Sequence, residues 1–302
     1  MLKKTVLFTL CLAAILSLTA CGSRSSDASA SGKVKVSVTF NALYEFAKAV
    51  GGDKVEISTI IPAGTEPHDF EPKAQDLVGL SEAQVFVYNG LGMELWSQDA
   101  VTAAGNGDLI VTDASDGVEA IENTDGGEAV EHGQYDPHIW LSLKCAEIEV
   151  ANIKDALIKA DPANKDYYEK NCADYIAQLE SLYNEYAEKF GAVTKKSFVT
   201  GHAAFGYLCR DFGLVQKSVE DVFAEGEPSA QQLTELVKYC RQAGVTTIFA
   251  EEMASPEVSE TLASEVGARV EAIYTIESAE DDMSYLERME QNLSEIYSSM
   301  AS

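Results

Sequence analysis

Apolar residues alternate with polar ones at Val34, Val36, Val38 and Phe40, the period-two signature of a strand. A helical stretch follows near Ala42 to Val50, then a second strand pattern in Val55-Glu56-Ile57-Ser58-Thr59-Ile60. Pro72 to Leu80 reads as helix, Val85-Phe86-Val87-Tyr88 as a buried strand closed by Asn89-Gly90, and Leu109-Ile110-Val111 as a further short strand. The second half repeats the rhythm, with candidate strands at Ser197 to Thr200, Val215 to Val219, Thr246 to Ala250 and Arg269 to Tyr274. Strands that alternate with helices predict parallel sheets covered by helices, an α/β fold in two lobes.

Between the halves, Asp161-Pro162 has the form of an N-cap followed by proline at the first helical position, and neither Pro nor Gly recurs until Gly191. Tyr168, Cys172, Tyr175, Leu179, Leu182 and Tyr186 recur at spacings of four and three, an apolar stripe along one helix. At ~1.5 Å per residue, about 28 residues reach roughly 42 Å, the width of a domain. The reading is a stiff rod joining two lobes; the alternative is an ordinary packed helix inside one large domain.

The start of the chain changes the picture of where the protein works. Lys3 and Lys4 precede an apolar run from Val6 to Leu16 that ends at Leu18-Thr19-Ala20-Cys21, the layout of a secretory signal. Cys21 directly after Leu-Thr-Ala resembles the bacterial lipobox, whose cysteine becomes the lipidated first residue. Gly22 to Gly32, rich in Ser, Ala, Asp and Gly, reads as a flexible tether. The expected organisation is signal peptide 1–20, anchor and tether 21–32, N-terminal lobe 33–160, linker helix 161–191 and C-terminal lobe 192–302. The formal charge of −27 becomes −29 when the signal's two lysines are removed, which argues against nucleic acid or anionic lipid as a partner. Cys145, Cys172, Cys209 and Cys240 form no CxxC pair and stay open between disulfides and buried small hydrophobes.

Four histidines carry the candidate chemistry. His68 lies in the turn-rich Ile61-Pro62-Ala63-Gly64-Thr65-Glu66-Pro67-His68-Asp69-Phe70-Glu71-Pro72, directly after a strand; His138 lies in Tyr135-Asp136-Pro137-His138-Ile139-Trp140-Leu141; His202 follows Phe198-Val199-Thr200-Gly201 between strand and helix. Ligand-binding groups converge at the carboxyl ends of strands in open α/β sheets, so His68 and His202 are able to face one cleft. His132 borders the acidic, aperiodic segment Asp113 to Glu131, which reads as a mobile loop.

Five motifs in order, Pro67-His68-Asp69-Phe70-Glu71-Pro72, Asn89-Gly90-Leu91-Gly92-Met93-Glu94, Asp136-Pro137-His138-Ile139-Trp140-Leu141, Gly201-His202-Ala203-Ala204-Phe205 and Glu227-Pro228-Ser229, resemble the zinc- and manganese-binding lipoproteins of bacterial ABC importers. The resemblance spans nearly the whole mature chain. It implies two (β/α) lobes joined by a long backbone helix, one metal ion in the cleft between them, His68, His138 and His202 as ligands, and an acid after the last strand as the fourth. Glu277 is the chosen acid. Asp281 and Asp282 are its alternatives, because Tyr274-Thr275-Ile276-Glu277 lacks the Asn-Pro-Leu common before the acid in relatives.

Three imidazoles favour zinc, whereas manganese is better served by carboxylate and carbonyl oxygen. The resemblance adds that zinc-binding members carry histidine at the position of His202. Zinc-binding relatives often have a histidine-rich loop where this chain has His132 alone, so His132 is read as solvated and non-coordinating. The expected protein is a monomeric, non-enzymatic, lipid-anchored zinc carrier that serves an ABC-type membrane permease. The competing classes are a manganese-binding member, a metal-stabilised adhesion lipoprotein, and a secreted zinc metallohydrolase. For the last, Glu251-Glu252 could supply a base, but no HExxH helix is present.

Overall fold

The computed structural model describes residues 32–123, 134–222, 229–251, 257–279 and 281–301. Cys21, His132, Glu227, Pro228 and Glu252 lie outside the described residues.

In the first half, β1 (Val34–Val38), α1 (Asn41–Gly51), β2 (Val55–Thr59), α2 (Val78–Glu82), β3 (Val85–Tyr88), α3 (Ser97–Ala104) and β4 (Ile110–Asp113) build one lobe. Its four strands are all parallel in the order β2-β1-β3-β4, with Val36 opposite both Ile57 and Val85. After α4 (Leu143–Ala160) and the 28-residue α5 (Lys165–Ala192), the second lobe repeats the plan. It comprises β5 (Ser197–Thr200), α6 (Gly206–Phe212), β6 (Val215–Ser218), α7 (Ala230–Ala243), β7 (Thr247–Glu251), α8 (Glu257–Val266), β8 (Arg269–Ile273) and α9 (Tyr285–Ala301). Its sheet is again parallel, in the order β6-β5-β7-β8.

Local chemistry sets several boundaries. Ser142 caps α4 by accepting from Cys145 N at 3.0 Å, and Ser229 with Gln232 forms a reciprocal capping box at the start of α7. Gly244, at φ 64°, ends that helix in the left-handed conformation that a Cβ disfavours. Two expectations are revised. The helix read over Pro72 to Leu80 begins only at Val78, because residues 74–77 are turns. Asp161-Pro162 opens a 3₁₀ turn, Pro162–Asn164, before the long helix starts at Lys165; Asp161 binds the side chains of Asn164 and Tyr168 at 2.6 and 2.9 Å.

Alternation along the strands divides the core. Val85 and Val87 of β3 face a central cluster while Phe86 between them faces an outer one with Ile60, Leu80 and Ala100. Likewise Phe198 and Phe249 point to the central cluster, and Val199 and Ile248 to an outer one with Leu236 and Leu262. The central cluster runs through both lobes by way of α4, α5 and α9, contributing Leu157, Tyr168, Leu179, Tyr186, Tyr285 and Leu293. The predicted stripe of the long helix is its buried face, with Tyr175 and Leu182 partly covered. All four described cysteines are buried free thiols. Among the described residues no helix is long and apolar enough to cross a membrane.

Candidate metal centre

The carboxyl ends of the strands face a common region, and the candidate ligands arrive there from separate elements. The chain leaving β2 is held by Ile60 N and Ile61 N donating to Val38 O and Thr39 O, then turns through Gly64 at φ 76°. His68 N donates to Glu66 Oε1 at 3.2 Å, which fixes the last turn before the ring. His138 precedes a short 3₁₀ turn, Ile139–Leu141, that leads into α4. Its peptide N donates to Asp136 Oδ1 at 2.9 Å, and its Nδ1 lies 2.9 Å from the same oxygen. That pairing places the proton on Nδ1 and turns the Nε2 lone pair to the cluster.

The motif Asn89 to Glu94 proves to be the clasp of this loop. Glu94 is buried and accepts from Asn89 N, Gly90 N and Thr39 Oγ1 at 2.9, 3.1 and 2.6 Å, while Asn89 Nδ2 donates to Pro137 O at 2.9 Å. Gly90 has φ 89°, and a Cβ there would collide with the Asp113 carboxylate. Burial pushes the Glu94 carboxyl up to about 7 against the pull of its three donors.

His202 follows the end of β5. Thr200 Oγ1 and Gln216 Nε2 donate to its carbonyl at 2.7 and 2.8 Å, and its N donates to Glu251 Oε1 at 3.0 Å. Burial, with the nearby His138, holds its imidazole well below the usual histidine range, in the neutral form that metals bind. Glu277 comes from the turn after β8. Ile276 before it is wholly buried at φ 61°, a left-handed conformation costing a side-chain-bearing residue roughly 1–2 kcal/mol. Thr275 Oγ1 donates to Glu277 Oε2 at 3.0 Å, and Oε1 lies 3.9 Å from His138 Nε2. The first lobe steadies this turn, since Asn41 N donates to Glu277 O and Gly64 N to Ser278 Oγ at 3.2 and 2.8 Å.

The outcome is one convergent group. His68 Nε2 and His202 Nε2 stand 3.1 and 3.3 Å from His138 Nε2, and the potential donor atoms of His68, His138, His202 and Glu277 all lie within 4.8 Å of one another. Neighbouring nitrogen donors on a tetrahedral zinc at about 2.0–2.1 Å stand roughly 3.3 Å apart. His138, His202 and Glu277 are buried, and His68 closes the outer side half-buried. The wholly buried Trp140 lies beside the His138 ring, 5.2 Å between centroids, and its Nε1 donates to Thr275 O at 2.7 Å. Asp281 is instead engaged by Arg288, through Nε and Nη2 at 3.0 and 2.6 Å, and Asp282 is exposed. Asp136 and Thr275 were not among the sequence-derived site residues, although each was readable as the polar residue two places before a candidate ligand, His138 and Glu277; Glu251 entered the sequence reading only as a hydrolase base, and it meets His202, 49 positions away, only through the fold.

The family model described as ZnuA, zinc-uptake complex component A, periplasmic, matches residues 36–299. The chain belongs to this family. Its members are components of an uptake system, not enzymes. The high-affinity zinc uptake system protein ZnuA of Bacillus subtilis (strain 168) is 38% identical over 307 residues, which cover 95% of each chain. The zinc-binding lipoprotein AdcA of Streptococcus pneumoniae (strain ATCC BAA-255 / R6) is 37% identical over 306 residues, 97% of this chain and 60% of that longer one. Among solved structures, a ZnuA deletion mutant with zinc bound superposes with a TM-score of 0.79 at 31% identity, covering 89% of this chain and 99% of the other.

Proposed function

We propose that the protein captures a zinc ion outside the cytoplasm and hands it to an ABC-type importer in the membrane. The observation that carries this reading is the convergence of three imidazole nitrogens and one carboxylate on a single buried point. Imidazole donors suit zinc better than manganese. With His68, His138, His202 and Glu277 all engaged, a tetrahedral shell is closed and keeps no position for an activated water, as a carrier requires and a hydrolase does not. The names of the relatives, a zinc uptake protein and a zinc-binding lipoprotein, agree with it.

In this reading one ion binds per monomeric chain. Residues 1–20 are removed on export, Cys21 carries the lipid, 21–32 are the tether, and 161–191 link lobes 33–160 and 192–302. Cys21→Ala then shifts the protein from the membrane fraction to the medium or leaves it unprocessed. Native mass spectrometry of the mature chain, titrated with zinc and manganese in competition, tests the cargo. One zinc per chain that manganese does not displace at equal concentration supports the reading; manganese preference, or no bound metal, refutes it.

A further inference from the structure

Glu251 ends β7, and β5, the strand beside it, leads into Gly201 and His202. Its side chain is only 3% exposed. One oxygen, Oε1, accepts from His202 N at 3.0 Å and lies 3.7 Å from Nδ1 of the same ring. The other, Oε2, fills the space where residue 201 would carry a Cβ, so the carboxylate requires glycine before the histidine. The His202 ring is thereby oriented, with Nδ1 turned to a carboxylate and Nε2 to the three other candidate ligands. In the first lobe, Asp136 stands in a similar but closer relation to His138, 2.9 Å from both its peptide N and its Nδ1, where Glu251 bonds only the peptide N and stays 3.7 Å from Nδ1.

We propose that Glu251 is a positioning residue of the metal centre: it holds the Gly201-His202 peptide and the Nδ1 edge of the ring so that Nε2 presents its lone pair to the ion. The inference rests on the reading of His202 as a ligand. Two effects act together. The hydrogen bond to the backbone sets where the ring sits, and the carboxylate beside Nδ1 favours the proton on that nitrogen and makes Nε2 a stronger donor. Thr200 and Gln216 already secure the carbonyl of His202, in the next peptide along the chain, so backbone support alone does not require an acid at position 251.

The substitutions separate the effects. Glu251→Gln keeps an oxygen that accepts from His202 N but removes the negative charge beside Nδ1; Glu251→Ala removes both. Zinc affinity by competitive titration is expected to fall about 10–100-fold in Glu251→Gln and further in Glu251→Ala, as for lost carboxylate partners of metal-bound histidines. Cobalt(II) loaded in place of zinc gives a second readout, and its visible absorption band is expected to shift in Glu251→Gln, which a purely structural role would not produce. Unchanged zinc affinity and an unchanged cobalt spectrum in folded Glu251→Gln overturn the proposal. If that variant does not fold, Glu251→Asp, which keeps the charge but draws it back by one methylene, takes its place, with the same two outcomes deciding. His202→Ala is measured alongside. Wild-type affinity in His202→Ala refutes the ligand assignment itself, whereas weakened binding there with no effect at Glu251 refutes only the positioning role.

Discussion

Glu149 lies wholly inside the protein on α4, and neither of its carboxyl oxygens has a hydrogen-bond partner among the described residues. Burial, reinforced by Glu94 and Asp113, holds its pKa well above the ordinary 4.5. The folded chain therefore keeps a proton that the unfolded chain loses above about pH 4.5, and stability falls as pH rises through that window toward the folded-state pKa. Glu149→Leu, similar in volume and free of the buried acid, is expected to stabilise the protein by about 1–3 kcal/mol. Thermal melts of the metal-free protein should show a larger gain at pH 8 than at pH 5. An equal or smaller gain at pH 8 would mean that the carboxyl is not held protonated. Helical spacing sets Glu149 on the stripe of Cys145, Ala146, Ile153 and Ala156, and so apart from Glu147, but an acid on such a stripe does not show in sequence whether it finds a partner.

Element patterns were more legible. The eight strands of the described residues and the long helix follow from alternation, from short apolar runs and from the four-and-three stripe, because burial on a sheet or along a helix stripe is written in the order of apolar and polar residues. The start of the long helix and the length of the helix before β3 were not so legible, since proline-bearing turns and helix first turns share residue preferences. The three histidines stood out by their motifs and Glu277 by its place after the last strand, but the convergence of the four depends on loops from both lobes. The Asn89–Glu94 turn shows how such a loop is held. Glu94→Gln sets an amide NH₂ against hydrogen donors that now meet carboxylate oxygens, and is expected to cost about 1–3 kcal/mol of stability. It should also weaken zinc binding, because Asn89 secures the carbonyl of Pro137 next to His138. Calorimetry and competitive zinc titration read the two effects. A destabilised variant with wild-type affinity would confine this clasp to folding.

For the molecule as a whole, the central apolar cluster passes without interruption from the first sheet to the second, through α4, α5 and α9. Fully buried Phe198, Phe205 and Phe249 on one side and Phe40 and Phe46 on the other belong to it, each contributing roughly 1.5–3 kcal/mol. Wide separation of the lobes would expose that surface, so metal exchange is expected to proceed through movements of the ligand loops. Small-angle scattering should accordingly give a radius of gyration near roughly 19 Å, changing by less than about 1 Å when zinc is added. A larger contraction would point to hinge closure. The most direct measurement of the central claim is anomalous diffraction from crystals grown with zinc, recorded on both sides of the zinc absorption edge. A single peak about 2.0–2.2 Å from the Nε2 atoms of His68, His138 and His202 and from a Glu277 oxygen is the predicted result; a zinc peak elsewhere, or one from which any of these four residues is withdrawn, would contradict it.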